Sequence, residues 1–188
     1  NKMAVRSLLK TILAVTTLCL SLNASANLIF DFEEKLGNQH SATYLLNGID
    51  LTVTAFAPND NNRNINRKNG KVLGLGVGGN PNSNNIGNGE YLVFTFAEIF
   101  YGHLNITFAN WGSNDVAGIT LNAGATTMFD RNNGIFTSDY AAISSFRVEG
   151  TSGSAFKVAN VELVPEPSAL AILGLGLLGL GARRFKKS

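Results

Sequence analysis

Cysteine is nearly absent from this chain. Its one cysteine, Cys19, lies in an apolar run near the N-terminus, so the rest of the sequence can build neither a disulfide framework nor a cysteine-based metal site. Cys19 is not a lipid-attachment cysteine either, because Leu18 stands where lipoprotein processing needs a small side chain. Histidine is equally scarce, with only His40 and His103. No G-x-S-x-G, H-E-x-x-H or P-loop pattern occurs, so nucleophilic, zinc and phosphate chemistry lack their residues. Charged residues are only 15% of the chain, and the formal balance of +2 misleads. Seven of the fifteen basic residues are terminal: Lys2, Arg6, Lys10, Arg183, Arg184, Lys186 and Lys187. Between residues 27 and 164, eight Lys/Arg stand against twelve Asp/Glu, a balance of −4 that offers nucleic acid no electrostatic footprint.

The terminal segments carry the clearest signals. Lys2, Arg6 and Lys10 precede an apolar stretch over residues 11–22, and Ala24-Ser25-Ala26 follows as a small-x-small site. Charged, apolar and cleavage regions in that order predict a secretory signal peptide over residues 1–26, carried by the Sec machinery and cut by signal peptidase after Ala26. The other end has Pro165-Glu166-Pro167, an apolar run over residues 169–182 and a basic cluster, Arg183-Arg184-Phe185-Lys186-Lys187. The two prolines keep the chain extended and accessible. The apolar run is expected to enter the inner membrane as a helix, and Arg183, Arg184, Lys186 and Lys187 to hold its end on the cytoplasmic side.

Fourteen residues at about 1.5 Å each span only about 21 Å, against a hydrocarbon core of about 30 Å. Gly174, Gly176, Gly179 and Gly181 weaken the helix further. A marginal anchor of this kind suits a segment that is held for a time and then removed. A GPI signal normally lacks a terminal basic cluster, and the LPxTG-like motif of a Gram-positive sortase substrate is missing.

With these three parts in order, residues 164–188 resemble the PEP-CTERM sorting signal of bacterial proteins handled by an exosortase. The resemblance implies export, recognition of Pro165, Glu166 and Pro167 by a membrane protease-transpeptidase, and delivery to the cell surface or extracellular matrix. It further implies an association with exopolysaccharide and biofilm.

Residues 27–163 are left to form one domain. Gly, Asn, Thr, Ser and Phe abound there and helix formers are few. A period of two runs through Phe30 and Phe32, through Ile49, Leu51, Val53 and Ala55, and through Leu92, Phe94 and Phe96. It recurs at Leu104, Ile106 and Phe108, at Ile119 and Leu121, and at Phe146 and Val148. The last strand starts in one phase, Phe156 and Val158, and resumes in the other, Val161 and Leu163, which predicts a bulge near Ala159-Asn160. The fold class is all-β: an antiparallel β-sandwich of jelly-roll or galactose-binding-like kind, flanked by an N-terminal signal helix and a C-terminal transmembrane helix. Gly74-Leu75-Gly76-Val77, an Asn-rich loop and then residues 89–96 resemble the core of exported carbohydrate-binding-like sandwich domains.

Three polar loops are candidate ligand sites. Residues 59–69, with six asparagines and Asp60, could offer oxygens to Ca²⁺ or hydrogen bonds to sugars, Asp60 and Asn62 among them. As an EF-hand the loop fails, because Ile65 falls where the turn glycine belongs and Lys71 where the bidentate Glu belongs. Residues 78–89 lead to Glu90, and Asp130-Arg131-Asn132-Asn133-Gly134 forms the third loop. Gathered at one end of a sandwich, they would make a shallow polar site with Trp111 or Tyr101 as a face for a sugar ring. Paired acids for glycoside hydrolysis, such as Glu90 with Asp115 or Asp130, would need a separation of roughly 5 to 9.5 Å. The sequence therefore reads as a non-catalytic surface or matrix protein with no resident cofactor, Ca²⁺ being the one ion its loops could take. A lectin-like module is the alternative, and a glycan-active enzyme stands third.

Overall fold

A computed structural model of the chain describes residues 27–32, 39–58, 61–66, 74–78, 85–139, 141–151 and 153–165. The expected signal helix and transmembrane helix lie outside the described residues. Residues Asn27–Val164 form one compact unit, and its regular elements among the described residues are strands. In chain order they are β1 (Leu28–Asp31), β2 (Ser41–Leu46), β3 (Ile49–Ala57), β4 (Asn61–Asn66), β5 (Gly76–Gly78) and β6 (Tyr91–Ala109). Then follow β7 (Ala117–Leu121), β8 (Thr126–Phe129), β9 (Ile135–Thr137), β10 (Ala141–Gly150) and β11 (Lys157–Pro165).

The fold is an all-β, sandwich-like arrangement of a curled antiparallel sheet. One path runs β5-β4-β3-β6-β10-β7-β8, with β2 joined to β3. Off this path β11 pairs with both β1 and β6, and β9 pairs with β6. The long strand β6 joins the two sets. Its N-terminal half lies between β3, from Leu51↔Phe96 to Phe56↔Tyr91, and β10, from Ser145↔Thr95 to Glu149↔Tyr91. Its C-terminal half pairs with β9 at Asn105↔Thr137, Ile106↔Phe136 and Thr107↔Ile135.

Two separate strands were expected from the alternation at 92–96 and 104–108, and the structure makes them one. The register explains the break in pattern. From Thr95 to Phe100 β6 advances five residues while β10 advances only from Ser145 to Ile143, and Ala97, Glu98 and Ile99 are all exposed. Such an insertion bends and twists a strand, which lets β6 serve both layers.

β4 is a second difference, because part of the Asn-rich stretch expected as loop is a strand. Asparagine is a poor strand former, but Ile65 is fully buried and pairs with Val77, while Asn61, Asn62 and Arg63 pair with Ala57, Phe56 and Ala55. Tertiary pairing on both edges overrides the local preference. The β2–β3 hairpin turns through Asn47 and Gly48, whose φ values of 51° and 83° match a two-residue type I′ turn.

The buried faces of these strands meet in two aromatic groups. Phe94 and Phe146 stack at 4.4 Å with 5° between their planes, joined by Phe32 at 6.0 Å from Phe94 and by Phe96 at 6.1 Å from Phe146. The second group gathers Phe108, Trp111, Phe129, Phe136 and Phe156, with Phe108 and Trp111 stacked at 4.8 Å. The phase change expected in β11 occurs where that strand changes partner. Asn160 to Leu163 pair with β1, whereas Val158 and Phe156 bridge to Leu75 and Ile86. Ala159 and Asn160 between them are both half-buried.

Candidate functional site

Two places in the domain are candidate sites: the end of β11, where the sorting segment begins, and a groove between β8 and β9. At the first, β1 lies antiparallel along the last residues of β11, pairing Leu28↔Leu163, Ile29↔Glu162, Phe30↔Val161 and Asp31↔Asn160. Leu163 is fully buried. Both carboxylate oxygens of Glu162 are engaged, Oε1 accepting from Asn27 Nδ2 at 2.6 Å and Oε2 from Asn105 Nδ2 at 2.9 Å. Gly102 of β6 allows the close approach of Val164, since a Cβ there would collide with the Val164 carbonyl oxygen and the Phe100 ring. Pro165, the first proline of the Pro-Glu-Pro segment, is the last residue of β11. A proline with no N–H to donate suits a strand end. Ala24, Ala26, Glu166, Pro167, Arg183, Arg184, Lys186 and Lys187 lie outside the described residues.

The groove has a volume of about 400 Å³, within the range of small-ligand sites. Phe129 and Phe136, both buried and edge-to-face at 5.9 Å, form its apolar part. Asp130, Arg131, Asp139 and Thr137 are exposed polar groups around it, with Met128 beside them at 59% exposure. Ser138 fixes the β9 side to β6: its N–H donates to the Leu104 carbonyl at 2.8 Å, and its hydroxyl accepts the Leu104 N–H at 2.9 Å. Two carboxylates and one guanidinium leave the rim slightly acidic. Its chemistry suits hydroxyl-rich ligands better than anions.

The other candidates serve elsewhere. Trp111 packs against Phe108, Phe129 and Phe156, and its Nε1 donates to the Arg131 carbonyl at 2.9 Å, so it anchors the Asp130 loop to the core. Glu90 Oε2 accepts the Gly87 N–H at 2.8 Å and thereby closes its own turn. Asp115 is buried, with its oxygens taken by the N–H groups of Gly112 and Ala155 at 2.6 and 2.8 Å. Both carboxylates therefore hold turns in place. Asn62 is exposed on β4 opposite Phe56, Asp60 lies outside the described residues, and Tyr101 is 59% exposed on β6. Among the described residues no three His, Cys, Asp or Glu side chains gather in a way that could hold a metal ion.

Of the expected ligand residues Asp130 lines the groove, with Arg131 of the same loop beside it. Asp139, Thr137 and Met128 were missed because β8 and β9 are short, at four and three residues. The turn residues around Asp130 and Gly134 were the available signal, since they mark a hairpin connection whose flanks had to be strands.

No curated protein matches the chain. Among solved structures it is similar to a chain from the Ruminococcus flavefaciens cellulosome, from work on an expansion in glycan recognition. The identity is 14% and the TM-score 0.35, over 75% of this chain and 95% of that one, a likeness too low to carry an argument. Among the described residues no helix is long and apolar enough to cross a membrane. Residues 163–186 match the PEP-CTERM protein-sorting motif, so the β-domain runs, with its last strand, into a signal that addresses an exported protein to an exosortase.

Proposed function

We propose that this chain is a non-catalytic structural or adhesive module of the bacterial surface or extracellular matrix, exported by the Sec machinery, freed of its leader after Ala26 and sorted by exosortase. The observation that carries this reading is the sorting motif over residues 163–186, directly continuous with β11, which ends at Pro165. Replacing Pro165, Glu166 and Pro167 by alanine and fractionating the cells tests it. The variant is expected to accumulate in the inner-membrane fraction, and unchanged release would overturn the sorting role.

A second reading is binding of polysaccharide, including exopolysaccharide, at the β8–β9 groove. It is favoured by a 400 Å³ space edged by Asp130, Asp139, Thr137 and Arg131 over Phe129 and Phe136. Affinity electrophoresis through neutral and acidic polysaccharides, with and without a chelator, tests both the binding and any need for Ca²⁺. Retention that the double substitution Asp130→Ala and Asp139→Ala abolishes supports it. Equal mobility in every gel would remove it.

A further inference from the structure

The first and last strands of the β-domain form one antiparallel pair. Leu28, two residues after Ala26, lies opposite Leu163, two residues before Pro165. The strand that begins where the leader is cut is therefore the strand that holds the start of the sorting motif. Resting on the sorting reading above, we propose that β1 is a latch that sets the upstream limit of tail processing: cleavage is confined to bonds after Val164, and the latch is tightened by leader removal.

Physical access supports the limit. A processing enzyme needs extended, unpaired chain at the bond it cuts, and folded backbone is protected until it opens locally. Residues 160–163 are paired to β1, Leu163 is fully buried, and Val164 lies against Gly102 with no room for a side chain between them. Every bond before Val164 can be reached only by unzipping β11 from β1, and β11 itself ends one residue later, at Pro165. In the step itself one peptide C–N bond breaks. The carbonyl carbon of the retained residue bonds to the oxygen or nitrogen of an acceptor, water included, and the acceptor's proton passes to the departing amine of the tail.

Leader removal acts through charge. Asn27 sits against Glu162 through a 2.6 Å bond. Cutting after Ala26 turns the neutral amide nitrogen of Asn27 into an amino group that is largely protonated near neutral pH. A cation appears on the residue whose side chain already bonds Glu162, and its attraction to that carboxylate favours the β1–β11 pairing. The N-terminal cut thereby sharpens the C-terminal one.

The test uses the full chain in an exosortase-bearing host, with mass spectrometry of both ends of the recovered protein. Wild type is expected to begin at Asn27 and to end within residues 164–167. Asn27→Asp sets a second carboxylate against Glu162 and leaves the core untouched. It is expected to raise the share of chains ending before Val164 at least several-fold, with Glu162→Gln in the same chain restoring the wild-type pattern. A processed wild-type chain ending at or before Leu163 overturns the latch alone. So does an unaltered Asn27→Asp pattern when hydrogen exchange shows β11 opened. A surface-recovered chain that keeps Ser188 overturns the sorting reading, and the latch with it.

Discussion

The side-chain oxygen of Asn122 accepts the backbone N–H of Ser144 at 2.8 Å, at the point where β10 slips register against β6 between Ile143 and Ser145. The same oxygen takes the Ser144 hydroxyl at 3.1 Å and the Ser145 N–H at 3.2 Å, while the Asn122 amide donates to the Ala142 carbonyl. A bulge leaves backbone groups without ladder partners, and one asparagine supplies the substitutes.

Asn122→Ala is therefore expected to lower stability by about 1–3 kcal/mol, the cost of leaving such groups unsatisfied. Asn122→Asp keeps the acceptor and should lose less. Urea unfolding of the two variants beside wild type checks the order.

The next residue gives a change in the opposite direction. Ala123 has a φ of 57°, a left-handed conformation that its Cβ disfavours. Ala123→Gly is expected to raise stability by about 0.5–1 kcal/mol, visible as a higher urea midpoint with an unchanged slope.

In the core, Phe146 is 1% exposed and lies face to face with Phe94 across the β6–β10 pair. Phe146→Ala removes this stack and leaves a cavity, which costs about 3–5 kcal/mol. Thermal unfolding followed by far-UV circular dichroism reads the loss.

Gly150 ends β10 where residues 86–90 cross it. Gly89 donates to its carbonyl at 2.8 Å, and its own N–H donates to the Glu90 carbonyl at 2.9 Å. A Cβ at 150 would strike the Gly87 carbonyl oxygen and come within 3.0 Å of the Ile86 oxygen. Gly150→Ala is expected to cost about 1–3 kcal/mol by forcing backbone apart. Faster hydrogen exchange at Ile86 and Gly89 would locate the strain.

The sequence exposed most of this architecture wherever one face of a strand is buried, because burial writes a period of two into the residues. Leu51, Val53 and Ala55, or Leu104, Ile106 and Phe108, are legible for that reason. β2 was less so: Ala42 is buried, but Thr43 and Leu45 face outward, and the Asn47-Gly48 turn was its best sign. β4 reads as loop because Ile65 is its buried residue, while Asn61 and Asn62 join the ladder opposite Ala57 and Phe56 from exposed positions. The sorting motif was legible because prolines, apolar run and basic cluster follow one another directly in the chain, and it is matched over residues 163–186. The groove was not, because it depends on where β8 and β9 lie in space, and of its rim only the loop residues Asp130 and Arg131 stood out in the chain.

The central claim is that the segment over 163–186 governs where this domain goes. Its most direct test is the distribution of the full chain between inner membrane and exterior in two otherwise identical strains, one with and one without exosortase. The domain is expected outside the cell, shortened at its C-terminus, only in the first strain, and retained in the membrane at full tail length in the second. The same location and the same C-terminus in both strains would contradict the claim.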